Sequence, residues 1–132
     1  MAYQLRQIVE GIRSCKNTSG STILEGTFVK LKTTPTVPQE VTVCTAGTDP
    51  AYGVAMHDIV DGDYGNVQIR GIAKVRGGAA VAVADRVTAD ADGEGVAAAA
   101  ADAVYGLALT VGADNVLFEC ELVGLGGVEN AA

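Results

Sequence analysis

The side chains that could do chemistry are few, and they sit in turns. The single histidine, His57, is followed by Asp58, a pair able to serve in general acid–base catalysis. No nucleophile motif accompanies it: G-x-S-x-G and a cysteine elbow are both missing. His57 and Asp58 therefore read as structural, and no catalytic residue is assigned. They remain the basis of an alternative, a small-ligand-binding or enzymatic module, which would need convergent polar groups in a pocket. Asp58, Asp61 and Asp63 cluster at one turn, and Asp90, Asp92 and Glu94 at another. Hard cations favour such oxygen groups, but a calcium loop needs a bidentate acid at its twelfth position. Counting from Asp61 that position is Ile72, and from Asp90 it is Ala101. Turn formation explains both clusters, so neither a metal nor a cofactor is expected.

The remaining motifs are equally unspecific. Gly71, Gly77 and Gly78 do not form a phosphate-cradling G-x-G-x-x-G. Cys15, Cys44 and Cys120 are odd in number and lack C-x-x-C spacing, which disfavours a disulfide framework or a zinc site. In Phe118-Glu119-Cys120-Glu121-Leu122 the cysteine shares a strand face with Phe118 and Leu122, as a buried thiol would. Asn17-Thr18-Ser19 matches a glycosylation acceptor, which carries little weight without a secretory signal. A biotinyl-type carrier needs a modifiable lysine at a hairpin tip, and the turns at Asp61 and Asp90 have none.

The elements that would position these residues are strands. Glycine contributes 17 of 132 residues, roughly twice its usual ~7% share. Glycine is costly in helices and useful in turns and bulges. No apolar run approaches the ~20 residues of a membrane span. The first 20 residues lack the apolar block of a secretory signal, so a soluble product made in the cytoplasm is expected. Charge is uneven. Residues 1–20 carry Arg6, Arg13 and Lys16 against Glu10, a net of +2, and the other 6 basic and 15 acidic residues give −9. An acidic body is a poor nucleic-acid partner, because neutralising phosphates is the main source of that affinity.

One short pattern occurs twice. Tyr52-Gly53-Val54-Ala55-Met56 returns as Tyr105-Gly106-Leu107-Ala108-Leu109. The strands that follow are matched as Asn66-Val67-Gln68-Ile69-Arg70 and Asn115-Val116-Leu117-Phe118-Glu119. A duplicated strand–turn–strand unit indicates a compact β scaffold. Alternation predicts further strands at Thr27–Lys32, Val41–Cys44, Ala80–Val83 and Arg86–Thr88, with a bulge at Gly71. Asp90-Ala91-Asp92-Gly93 predicts a hairpin, and alanine-rich Val96–Ala101 at most one helical turn. Leu5, Ile8, Val9 and Ile12 have helical spacing, but Gly11 weakens a helix by ~1 kcal/mol relative to Ala. Residues 1–21 are thus expected as an N-terminal arm that orders on contact, 22–124 as the β domain, and 125–132 as a flexible C-terminal tail. About eight or nine short strands suit a barrel, sandwich or clip-like all-β domain.

Several of these blocks resemble tailed-phage capsid cement proteins, also called head decoration proteins. They are Tyr52-Gly53-Val54-Ala55-Met56-His57-Asp58, Gly62-Asp63, Val67 through Val75, Ala80-Val81 through Asp85-Arg86-Val87, the Asp90–Gly93 turn, and Tyr105-Gly106-Leu107-Ala108-Leu109. The likeness covers roughly residues 22–122. Family members show Gly-Asp before the strand that here begins near Arg86, whereas this chain has Ala84-Asp85, a departure that bears on the turn. The resemblance implies a small β-clip or β-tulip-like barrel of antiparallel strands with an extended N-terminal arm. It further implies a homotrimer on the capsid exterior, at local three-fold positions, bound to the major capsid protein. Under that reading Leu5, Arg6, Ile8, Ile12 and Arg13 are the expected capsid contacts, since they combine charge reversal with apolar spacing outside the core. Val81, Val83 and Val87 are the candidates for trimer contact.

Overall fold

The computed structural model describes residues 5–124 and the backbone of Val128 and Glu129. The chain is all-β, with no helix among the described residues. Its strands are β1 (Ile8–Asn17), β2 (Phe28–Leu31), β3 (Glu40–Val43), β4 (Ala51–Ala55), β5 (Tyr64–Arg76), β6 (Arg86–Ala89), β7 (Gly95–Ala97), β8 (Ala103–Val104), β9 (Gly106–Ala108), β10 (Leu117–Leu122) and β11 (Val128–Glu129). Nine of them share one sheet, in the order β1-β3-β2-β4-β5-β10-β9-β6-β7. β1 also pairs with β5, so β1, β3, β2, β4 and β5 close on themselves. On the other side of β5 the ladder runs out to β7, and a parallel bridge from Gly77 to Gly95 brings it back.

Successive strand residues point to opposite faces, and here both faces are buried. Phe28 of β2 and Val54 of β4 enter one core, with Val75, Tyr105 and Phe118. Their neighbours Val29 and Ala55 enter a second core, with Cys15, Ile23 and Val67. The Tyr105 and Phe28 rings lie 5.0 Å apart at 55°, and the Tyr105 hydroxyl donates to the Asp49 carbonyl. With few aromatics, the two cores are otherwise built from valine, isoleucine, alanine and cysteine.

The duplication extends to the backbone hydrogen bonds. Ile23 and Ile59 exchange backbone hydrogen bonds of 2.9 and 2.8 Å, and so do Val81 and Gly112, at 3.0 and 2.8 Å. Gly26 N–H donates to Ala55 as Ala84 N–H donates to Ala108. Asn17 N–H donates to Asp63 as Gly77 N–H donates to Val116. Gly62 N–H donates to Asn17 as Asn115 N–H donates to Gly77. These pairs correct the register of the matched strands. Asn115 is the counterpart of Gly62, and both have positive φ, at 60° and 87°. The counterpart of Asn66 is Glu119: Met56 N–H donates to Asn66 as Leu109 N–H donates to Glu119. Local likeness of Asn-Val to Asn-Val had set the match four residues away.

Residues 8–17 form a strand rather than a separate arm. β1 runs antiparallel to β5 from Ile8 opposite Ile72 to Lys16 opposite Tyr64, with register shifts between Val9 and Ile12. The irregularity faces Gly71, which itself lies within the continuous β5. Cys15 and Asn17 are fully buried, so the last part of β1 belongs to the core. The Asp90–Gly93 turn joins β6 to β7 as an antiparallel hairpin, with Gly93 at φ 76°. The alanine-rich stretch ends β7 and turns at Ala101, without a helix. Of the expected tail, residues 125–127 and 130–132 lie outside the described residues; Val128 and Glu129 pair with Val104 and Ala103.

Candidate functional site

His57 and Asp58 do not form a dyad. The His57 ring accepts the Asn66 N–H at Nε2 (3.1 Å) and places Nδ1 2.9 Å from the Asp58 backbone carbonyl. The proton therefore sits on Nδ1, and the ring pins a turn. The Asp58 carboxylate is engaged elsewhere, accepting the Glu25 N–H at 2.8 Å. A groove of about 670 Å³ is lined by Thr18, Ser19, Thr42, Thr45, Asp92 and neighbouring residues, and neither His57 nor Asp58 reaches it.

The acidic clusters accept backbone N–H groups, Asp90 within its own turn, Asp58 and Asp61 from distant loops. Asp90 Oδ1 accepts the N–H groups of Asp92 (2.8 Å) and Glu94 (3.0 Å), a side-chain closure of the hairpin. Asp61 Oδ1 accepts the Gly20 N–H. Burial, followed by the nearby carboxylates of Asp90, Asp114 and Asp92, raises the Glu94 carboxyl. All three cysteines are buried free thiols. Burial pushes Cys15 up to about 11, against a smaller opposing pull from Arg13. Burial together with the Asp49 charge pushes Cys44 up to about 12. Such thiols are neutral and inert at neutral pH.

The conspicuous surface is on β1. Ile8, Val9 and Ile12 are 47, 39 and 45% exposed, although they lie within β1. Beyond β5, among the described residues, β1 is paired at Lys16 and Asn17, with Glu40 and Val41 of β3. Two buried polar side chains hold this strand in place. Gln68, fully buried, places Nε2 and its two hydrogens among the carbonyls of Ile8 (3.0 Å), Arg70 (3.0 Å) and Ile72 (3.1 Å), which share them where the ladder is irregular. Gly71 sits beside it at φ 99°, and a Cβ there would overlap the Ile8 carbonyl oxygen. Glu119, also buried, accepts the Arg6 N–H (2.8 Å), Nε (3.1 Å) and Nη2 (3.0 Å). Those bonds and the guanidinium charge hold the Glu119 carboxyl below the usual carboxylate range, against the opposing effect of burial.

The expected contact residues fall as follows. Ile8, Ile12 and Arg13 are exposed on β1, with Arg13 Nη1 donating to the Ile12 carbonyl. Leu5 is half-buried, and Arg6 is anchored to Glu119 while its side chain stays 60% exposed. Of the three valines, Val81 and Val87 are core residues, whereas Val83 is 58% exposed. Val81 makes a single bridge rather than a strand, and the turn after it swings Val83 outward, breaking the alternation the sequence suggested. Sequence reading missed Gln68 and Glu119, since neither residue type signals burial. It also missed exposed Val111 and Val116.

No curated protein matches the chain. A solved structure, the head fiber gp8.5 N base in bacteriophage phi29, superposes with a TM-score of 0.70 at 18% identity, covering 91% of this chain and 98% of its own. At that identity the likeness concerns the fold. The model of the phage cement protein family matches residues 14–120, from the buried end of β1 through the second repeat. The protein belongs to the phage cement protein family, and is a capsid-associated structural protein of the virion rather than an enzyme.

Proposed function

We propose that this protein decorates the outer surface of a mature phage capsid, as homotrimers of a β-clip domain at local three-fold positions, and stabilises the shell by binding the major capsid protein. The observation that carries this reading is the exposed apolar surface of β1, with Ile8 and Ile12 on one side of the strand and Val9 on the other, among Arg6, Glu10 and Arg13. Ile8, Val9 and Ile12 stand in solvent on a strand whose Ile8 carbonyl is held by Gln68 and whose lead-in residue Arg6 is held by Glu119. Rigid exposed apolar residues flanked by Arg6 and Arg13 suit a docking surface, since little ordering entropy is lost on contact. This surface lies before residue 14, where the family match begins.

The mechanism is linkage. A ligand that binds the assembled shell but not its separate subunits stabilises the shell by RT ln(1 + [L]/Kd), ~2.7 kcal/mol per site at a hundredfold excess over Kd. A trimer presents three such surfaces together, so modest contacts add through effective concentration.

The test uses point variants, because deleting through Cys15 would remove core. Ile8→Glu with Ile12→Glu should leave the melting temperature within a few degrees of wild type and abolish co-sedimentation with intact heads. Wild-type occupancy by the double variant would remove β1 from the contact. A wild-type protein that neither sediments with heads nor raises their DNA-release temperature would end the cement reading.

A further inference from the structure

The hairpin tip of the second repeat closes on the strands of the first. Phe28 N–H donates to the Gly93 carbonyl at 2.8 Å, and a Cβ on Gly93 would overlap Thr27 and Val43. β1 pairs with β3 as far as Asn17 opposite Val41, and Thr18 N–H still donates to the Val41 carbonyl. The chain then turns away toward Ile23, which bridges to Ile59. The groove of about 670 Å³ lies between residues 18–24 and the hairpin tip, so it is a product of how the two repeats meet. Its size falls within the ~300–1,000 Å³ of small-molecule sites.

The lining has a definite chemistry. Seven of its fifteen residues are serine or threonine, and two cations, Lys30 and Arg76, balance two carboxylates, Asp92 and Glu94. The cations already have partners. Lys30 Nζ donates to Asp49 at 3.1 Å, and Arg76 donates to the Glu25 carbonyl and to Asn115 Oδ1 at 3.0 and 3.1 Å. Among the described residues, the carboxylates of Asp92 and Glu94 and the hydroxyls of Ser21, Thr22 and Thr42 have no hydrogen-bond partner. Hydroxyls turn to donate or accept, and carboxylates accept only. A cation entering the groove would meet Arg76 and Lys30, and an anion would meet Asp92 and Glu94. The complementary ligand is therefore uncharged and rich in O–H groups that serve in both senses. Leu24, 46% exposed, and Val43 offer aliphatic contact to its C–H groups. Among the described residues no aromatic ring lines the groove, so a nucleobase would find nothing to stack on.

We propose that this groove binds a neutral saccharide. Such binding is separate from the docking of β1, since none of Ile8, Val9 and Ile12 lines the groove.

The test titrates the nitrogen-labelled full chain with diacetylchitobiose, lactose, maltose and mannobiose in turn and reads the amide signals. At least one sugar should shift Ser21, Thr22, Thr42 and Glu94 saturably and leave Ile8 and Ile12 unmoved. Thr42→Val, which keeps the shape and removes the hydroxyl, and Glu94→Gln should each weaken that sugar about tenfold or more. Asp92→Asn, on the exposed tip, should weaken it as well and carries the test if Thr42→Val unfolds. Saturable shifts with inorganic phosphate or spermidine, and with none of the sugars, would mark an ion site and overturn the proposal. The absence of any saturable shift, or sugar affinity unchanged in every folded variant, would also overturn it.

Discussion

Ala84 occupies the backbone site that Gly26 holds in the first repeat: both N–H groups donate to the alanine that ends the adjacent strand, at 2.8 and 2.9 Å, and both residues have positive φ, at 73° and 86°. The departure from Gly-Asp noted in the sequence therefore leaves the turn intact and places a side chain in the left-handed region. An L-residue pays about 1–2 kcal/mol there, partly offset because glycine enlarges the unfolded ensemble. Ala84→Gly should raise unfolding stability by about 0.5–1 kcal/mol, read as a higher urea midpoint with an unchanged slope. A lower midpoint would contradict the assignment.

Gln68 is a second point of leverage, because a single side-chain amide serves three carbonyls across the irregular stretch of β1 and β5. Gln68→Met keeps the length and removes the donor, leaving buried acceptors short of partners. The expected loss is about 1–3 kcal/mol, with hydrogen exchange accelerating first in residues 8–12. Uniform acceleration across the sheet would show that Gln68 supports the core generally rather than β1 in particular.

The bond between Arg6 and Glu119 predicts a pH dependence of definite sign. The Arg6 backbone N–H, then its guanidinium, depress the folded-state Glu119 carboxyl, with burial opposing. A depressed carboxylate contributes stability that is present above its unfolded value, about pH 4.3, and is lost as pH falls through the lower folded value. Arg6→Ala should melt below wild type at pH 7, with a gap that stays level to about pH 5 and narrows below about pH 4. A gap that persists in acid would mean that Arg6 acts through packing alone.

Much of the scaffold was legible in the sequence for a local reason. Alternating residues at Phe28–Leu31, Ala51–Ala55 and Leu117–Leu122 specify strands wherever they pair, and Asp-Gly specifies the hairpin before β7. The duplicated Tyr-Gly segments announced the repeat. The same residues could not set its register, because Asn66-Val67 and Asn115-Val116 look alike locally while their backbones hydrogen-bond to different partners.

Composition and local pattern by themselves determined an all-β chain with few candidates for chemistry and a basic beginning on an acidic body. Tertiary pairing decided the rest. Residues 8–12 are compatible with either helix or strand until β5 supplies a partner and Gln68 a donor. Val81, Val83 and Val87 are equally apolar as letters, yet only Val83 reaches solvent, because the turn after the Val81–Gly112 bridge breaks the strand period. Which apolar residues are spent on the core and which are left for partners depends on contacts between segments far apart in the chain, and no short window of sequence contains them.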